Sequence, residues 1–284
     1  MRGWWQELVG LVLPVDCAGC GAPRAVLCDA CREALCGRAA RRVWPEPVPP
    51  GLPAVYAAVA YADEARSVLL AHKERGVLRL AGPLGTALAS GVRAAVGGSG
   101  AWLGAGAGGG AGPLVGLGRG AGADGGVSRM WGRDADEAGG VGVGVAGGTR
   151  ESRRLVLVPV PSARCAVAAR GHDPSRRIAQ AAAGELRRAG WPAVVCAVLR
   201  QRRPVADQTG LGARQRLDNL AGALEVAAGG ERLLTAGPVL LVDDLMTTGA
   251  SLVEAVRAVA AVGGRVAGAA VVAAPARAFG VSAK

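Results

Sequence analysis

Lysine is almost missing from this chain. Lys73 and Lys284 are the only two in 284 residues. A P-loop needs a lysine directly after a Gly-x-x-x-x-Gly loop, and neither lysine follows one, so a P-loop nucleoside triphosphatase is excluded. Aromatic residues make up 3% and phenylalanine occurs once, so a core has to be assembled from Val, Leu and Ala. No run of about 18–20 apolar residues is free of charge, Gly and Pro, which excludes a transmembrane helix and membrane insertion. The start, Met1-Arg2-Gly3-Trp4-Trp5 and then apolar residues 8–15, has the outline of a secretion signal. Glu7 interrupts it, however, and the apolar run ends at Pro14. Asp16 precedes Cys17, and no small-residue cleavage site follows. We read this segment as a short amphipathic helix and expect a cytoplasmic protein.

The formal net charge is +11, nearly all of it arginine. Basic chains often bind polyanions. Here abundant Ala, Gly, Val and Arg with scarce Lys, Asn, Phe and Ile reads as the codon bias of a GC-rich genome, so charge alone does not argue for nucleic acid.

Four of the seven cysteines form two pairs, Cys17-x-x-Cys20 and Cys28-x-x-Cys31. Two adjacent Cys-x-x-Cys knuckles supply four thiolates for a tetrahedral zinc site. In a reducing compartment metal outweighs a pair of disulfides. Such a site is closed by its four ligands and is therefore structural. Cys36 reads as structural, and Cys165 and Cys196 as small buried hydrophobes.

Residues 43–53 are Pro-rich and read as an extended linker. Residues 54–61 read as a strand, 65–72 as a helix and 78–96 as a long helix. Residues 97–149 are Gly/Ala-rich without periodicity and cannot bury enough apolar surface to offset the entropy of ordering, so we expect a disordered insertion there. Residues 155–158 read as a strand, 175–188 as a helix, 194–199 as a strand and 265–272 as the last strand. Between them, residues 200–219 form a long, polar, Arg-rich irregular loop, a kind of segment that is usually functional. Strands alternating with helices imply right-handed crossovers and a parallel sheet.

The most informative stretch is residues 239–251, Val-Leu-Leu-Val-Asp-Asp-Leu-Met-Thr-Thr-Gly-Ala-Ser. An apolar strand runs into two carboxylates, Asp243 and Asp244. Then come Leu245, Met246, Thr247, Thr248, Gly249, Ala250 and Ser251, and a helical pattern follows. A Gly-containing loop at a helix N-terminus is an anion cradle, because free N–H groups and the helix dipole both favour negative charge. The carboxylates cannot face that anion. They suit sugar hydroxyls beside it, by the logic that pairs an acid with ribose in dinucleotide folds. Phosphate and diol together describe a ribose-5-phosphate site.

This stretch closely resembles the phosphoribosyl pyrophosphate (PRPP) motif of type I phosphoribosyltransferases. The order of the other parts resembles the ComF family of phosphoribosyltransferase-like proteins, named for natural competence. Those parts are the Pro-terminated N-terminus, the Cys pairs, a tyrosine strand leading to a helix and a lysine, the Val-Pro-Val-Pro strand end, an Arg-Gly element, and an Arg-rich loop with Arg216 and Asn219. The resemblance covers nearly all of the chain except 97–149. The chain departs from it at His172-Asp173-Pro174, where Phe-Asn-Gln often follows Arg-Gly. It also lacks a third cysteine pair.

The resemblance implies an α/β, type I phosphoribosyltransferase fold, a central parallel sheet flanked by helices, with a small N-terminal four-cysteine zinc knuckle. It implies an N-terminal helix and zinc-binding domain over 1–45 and a phosphoribosyltransferase-like domain over 54–284. Asp243 and Asp244 would be the catalytic acids that hold the ribose diol, and residues 245–251 the phosphate loop. Pro161 and Ser162 would belong to the pyrophosphate loop, and Arg202, Arg203 and Gln208 to a flexible closing loop. The expected cofactors are Mg2+ and structural Zn2+. The expected partners are PRPP and, as a second class, DNA or the competence machinery. The alternative is a non-catalytic PRPP-sensing or DNA-uptake module. The acceptor and the oligomeric state are not legible.

Overall fold

The computed structural model describes residues 16–98, 154–206, 210 and 212–280. The expected N-terminal helix, Gln208 and all but the first two residues of the 97–149 insertion lie outside them.

Helix α1 (Asp29–Cys36) starts at the second cysteine pair, with Cys28 at its N-cap and Cys31 in its first turn. Strands β1 (Arg41–Val43) and β2 (Val55–Ala60) come next, then helix α2 (Asp63–Lys73) and, after a short 3-10 turn, helix α3 (Ala81–Gly98). Strand β3 (Leu155–Pro159) leads to helices α4 (Arg164–Arg170) and α5 (Pro174–Arg188). Strands β4 (Ala193–Val195) and β5 (Leu199–Gln201) precede helix α6 (Ala213–Leu220), strand β6 (Leu224–Val226) and the short helix α7 (Glu231–Thr235). Strand β7 (Pro238–Leu245), helix α8 (Ala250–Ala260) and strand β8 (Arg265–Ala274) complete the core.

The main sheet has the order β1-β2-β8-β7-β3-β4. Every pairing is parallel except β1 with β2. This is a mixed α/β architecture with a central, mostly parallel sheet between helices. β7 is one of its two middle strands, and Val239, Leu240, Leu241 and Val242 are fully buried. That is why the run is continuously apolar instead of alternating: helices cover both faces of a parallel strand. Leu80, Leu84, Leu88, Ile178 and Leu186 fill one side, and Leu234, Leu252, Ala255 and Val259 the other. Short aliphatics take the place that aromatics hold in most cores.

Helix α5 shows how local signals set an element. Asp173 caps it by accepting the Arg176 N–H, and Pro174 occupies its first turn, where its missing N–H costs nothing. The expected Ile178, Ala182 and Leu186 stripe is buried.

Three expectations change. The segment 194–199 is two strands, not one: β4 joins the main sheet, and β5 pairs antiparallel with β6. The loop over 200–219 is not irregular throughout, because α6 occupies its end, and β6 follows just after it. Val43 is not linker. It pairs with Val55 across β1 and β2 and is buried, so the edge of the main sheet starts inside the stretch read as N-terminal module.

Candidate active site

The site forms where β7 ends. Val160 N–H donates to the Val242 carbonyl at 2.9 Å, so the segment after β3 leaves the sheet beside the acid pair. A cavity of about 490 Å3 opens there. Asp243, Asp244, Leu245, Thr247 and Ser251 line one wall, and Pro161, Ser162, Ala163 and Arg170 another. Lys73 and Ser175 complete its polar part, and Val205, Leu220 and Leu224 close the apolar side.

Asp244 is buried, and the Lys73 ammonium donates to its Oδ2 at 2.9 Å. Burial alone would lower the Lys73 pKa, but the facing Asp244 and Asp243 charges hold it above its ordinary value, so the ammonium persists at neutral pH. Asp243 Oδ1 accepts from Ser175 Oγ at 3.0 Å and from the Asp244 N–H at 2.8 Å. Desolvation, then the neighbouring Asp244 charge, pushes the Asp243 carboxyl well above the usual carboxylate range, against the pull of Lys73, the Asp244 N–H and Ser175. Two adjacent acids in one low-dielectric site resist double ionisation. One is compensated by a cation and the other is held by hydroxyl and amide donors.

The loop after the acids is anchored and open at once. Met246 is buried, and its N–H donates to the Ala273 carbonyl at 3.0 Å. Thr247 is exposed to the cavity. Gly249 takes φ 78°, the left-handed region, and stands at the N-cap of α8. It brings no side chain to satisfy the first N–H groups of the helix, which stay available to an anion. Arg216 reaches in from α6 and donates from Nη1 to Thr247 Oγ1 at 3.1 Å, while its Nε is buried with no acceptor.

Residues 174–281 match the phosphoribosyl transferase domain family. The match runs from α5 through β8, so this phosphoribosyl transferase domain includes Ser175, Arg216, both acids and the 247–251 loop. Lys73, Pro161 and Ser162 stand outside the matched range and complete the cavity from the earlier half of the chain. No curated protein matches the chain.

The structure brings Asp243, Asp244, Pro161, Ser162, Leu245, Thr247 and Ser251 to one cavity, while Thr248 and Gly249 are not in its lining and Met246 and Ala250 are buried in the core. It does not bring Arg203 there. That guanidinium donates to the Asn219 and Ala221 carbonyls at 2.9 and 2.8 Å and ties the segment before α6 to its end. Arg202 is exposed. Sequence reasoning missed Ser175 and gave Lys73, the lysine after the tyrosine strand and helix, no role at the site. The rarity of lysine in a chain rich in arginine was a further signal. His172 and Asp173 have local duties: Asp173 accepts from Ser162 Oγ at 3.4 Å, and His172 reaches the His72 carbonyl at 3.3 Å.

Away from the cavity, the Sγ atoms of Cys17, Cys20, Cys28 and Cys31 all lie within 4.8 Å of one another. All four are free thiols. Tetrahedral zinc at Zn–S about 2.3 Å spans sulfurs by roughly 3.8 Å, so the donor set fits that ion. Cys17 Sγ accepts the Cys28 N–H at 3.3 Å. A side chain at Gly19 would place its Cβ 2.7 Å from Cys31 Sγ, so this cluster closes only around glycine. The knuckle is not a separate bead. Cys17, Leu27, Cys31 and Leu35 share one core with Val68, Leu69 and Ala71 of α2, the helix that carries Lys73. No described helix is long and apolar enough to cross a membrane.

Proposed function

We propose that this chain binds PRPP in the cavity at the end of β7 and transfers its phosphoribosyl group to a nitrogen acceptor, as a type I phosphoribosyltransferase of the ComF kind. The observation that carries the reading is the direct succession of the acid pair, with Asp244 buried and Asp243 half-buried, and the open N-terminus of α8, with residues 161–162 opposite. The 247–251 loop takes the 5′-phosphate, the carboxylates take the ribose 2′- and 3′-hydroxyls, and residues 160–162 face the pyrophosphate. Magnesium, when bound, supplies positive charge to the pyrophosphate and the diol oxygens. Asp243 and Asp244 orient the ribose and stabilise the positive charge that develops at C1; they are not nucleophiles. The four-cysteine knuckle, with structural zinc, and the Val-Pro-Val-Pro strand end support the ComF assignment. Competence is the physiological setting that this assignment suggests, in the cytoplasm.

The test is calorimetric titration of PRPP with magnesium into the parent and into Asp243→Asn/Asp244→Asn. Binding lost in the variant supports the site, and pyrophosphate release then screens acceptors. A folded, zinc-loaded parent that binds no PRPP sinks the reading.

A further inference from the structure

Lys73 is the last residue of α2 and meets Asp244 across 171 positions of sequence. It lines the same cavity as Ser162 and Arg170. Arg170 is engaged: its Nε and Nη2 donate to the two carboxylate oxygens of Glu74 at 3.0 and 2.9 Å. Lys73 carries a compact ammonium with three donors on a flexible stem, and its side chain keeps 33% of its exposure although Asp244 is at 6%. The ammonium is therefore at the cavity surface on Asp244, in the cavity that the segment after β3 also lines.

A ribose diol seated on the carboxylates shares the Asp244 oxygen that Lys73 now holds. The same ligand, if it is PRPP, brings a pyrophosphate to the 160–162 side. We propose that Lys73 reads the pyrophosphate: it rests on Asp244 in the free protein and moves to a pyrophosphate oxygen in the complex, so the site separates PRPP from ribose 5-phosphate. This rests on the ribose-phosphate reading of the site. In the transfer the C1–O bond breaks and its electron pair leaves with pyrophosphate. The acceptor nitrogen's lone pair forms the new bond to C1, and its proton passes to solvent. Lys73 gives up no proton. Its charge-assisted hydrogen bond strengthens as negative charge builds on the leaving group.

The test compares PRPP and ribose 5-phosphate by calorimetry, in magnesium buffer, on the parent, Lys73→Gln and Lys73→Arg. Lys73→Gln is expected to lower the ratio of the two affinities by about tenfold, the size of one hydrogen bond to a charged group, and Lys73→Arg to keep most of it. A second readout needs no variant. With only two lysines in the chain, amine acetylation read by mass spectrometry reports Lys73 against Lys284. Inorganic pyrophosphate and PRPP should protect Lys73, and ribose 5-phosphate should not. An unchanged affinity ratio, or equal protection by all three, overturns the inference, since Lys73 would then be a fixed partner of Asp244. A parent that binds neither sugar phosphate overturns the site reading itself, a result distinct from an unchanged ratio.

Discussion

Leu52 lies against Gly249: a Cβ built on the glycine would stand 2.8 Å from Leu52 Cδ1. The Pro-rich segment is thus packed on the 247–251 loop, and the loop turns through φ 78° at that contact. Gly249→Ala meets both constraints. The left-handed backbone alone costs about 1–2 kcal/mol. We expect a lower melting temperature and weaker ribose 5-phosphate binding, and Leu52→Ala in the same chain should recover part of the stability. A variant as stable as the parent would show that the loop turns elsewhere.

Ser175 donates to Asp243 from the start of α5. Ser175→Ala leaves a desolvated carboxyl oxygen short of a donor, at a cost of about 1–3 kcal/mol. Chemical denaturation should register that loss, and PRPP affinity should fall with it. Wild-type stability and affinity together would remove Ser175 from the site.

The raised Asp243 pKa has a definite sign. The folded chain binds this proton more tightly than the unfolded chain, so between the ordinary value of 3.8 and the raised one it holds more protons. Stability therefore falls as pH rises through that window. Asp243→Asn should flatten melting temperature against pH from about 3.8 upward. Parallel curves for parent and variant would contradict the assignment.

Arg216 has an Nε buried without an acceptor, a state that costs about 1–3 kcal/mol. An anion arriving at Thr247 would supply one. Arg216→Gln should weaken inorganic phosphate and ribose 5-phosphate binding by about tenfold, on the scale of one charged hydrogen bond, while leaving the free protein at least as stable as the parent. Equal binding by the variant would leave Arg216 as a clamp on Thr247 alone.

The cysteine cluster shares its core with α2. Metal analysis should find one zinc per parent chain and little in Cys28→Ser. Chelation should lower the melting temperature and, through α2 and Lys73, the affinity for PRPP. A parent without zinc, or one indifferent to its removal, would end the structural-zinc reading.

Composition and short-range pattern by themselves settled the βα alternation, the buried central strand, the capped α5, the two Cys-x-x-Cys knuckles and the succession of acids, hydroxyls and glycine after β7. Each of these is encoded within a few residues, by periodicity, by a cap or by ligand spacing. Tertiary structure alone decided what meets Asp243 and Asp244. Lys73 and Ser175 arrive from elements 171 and 68 positions away, and sheet order, not local sequence, brings them there. The same holds for Val43, where the apolar signal of one short edge strand is lost among prolines until β2 pairs with it. It also holds for Arg203: an arginine in a polar loop looks the same whether it faces phosphate or closes on two backbone carbonyls, and only the packing of α6 separates the two.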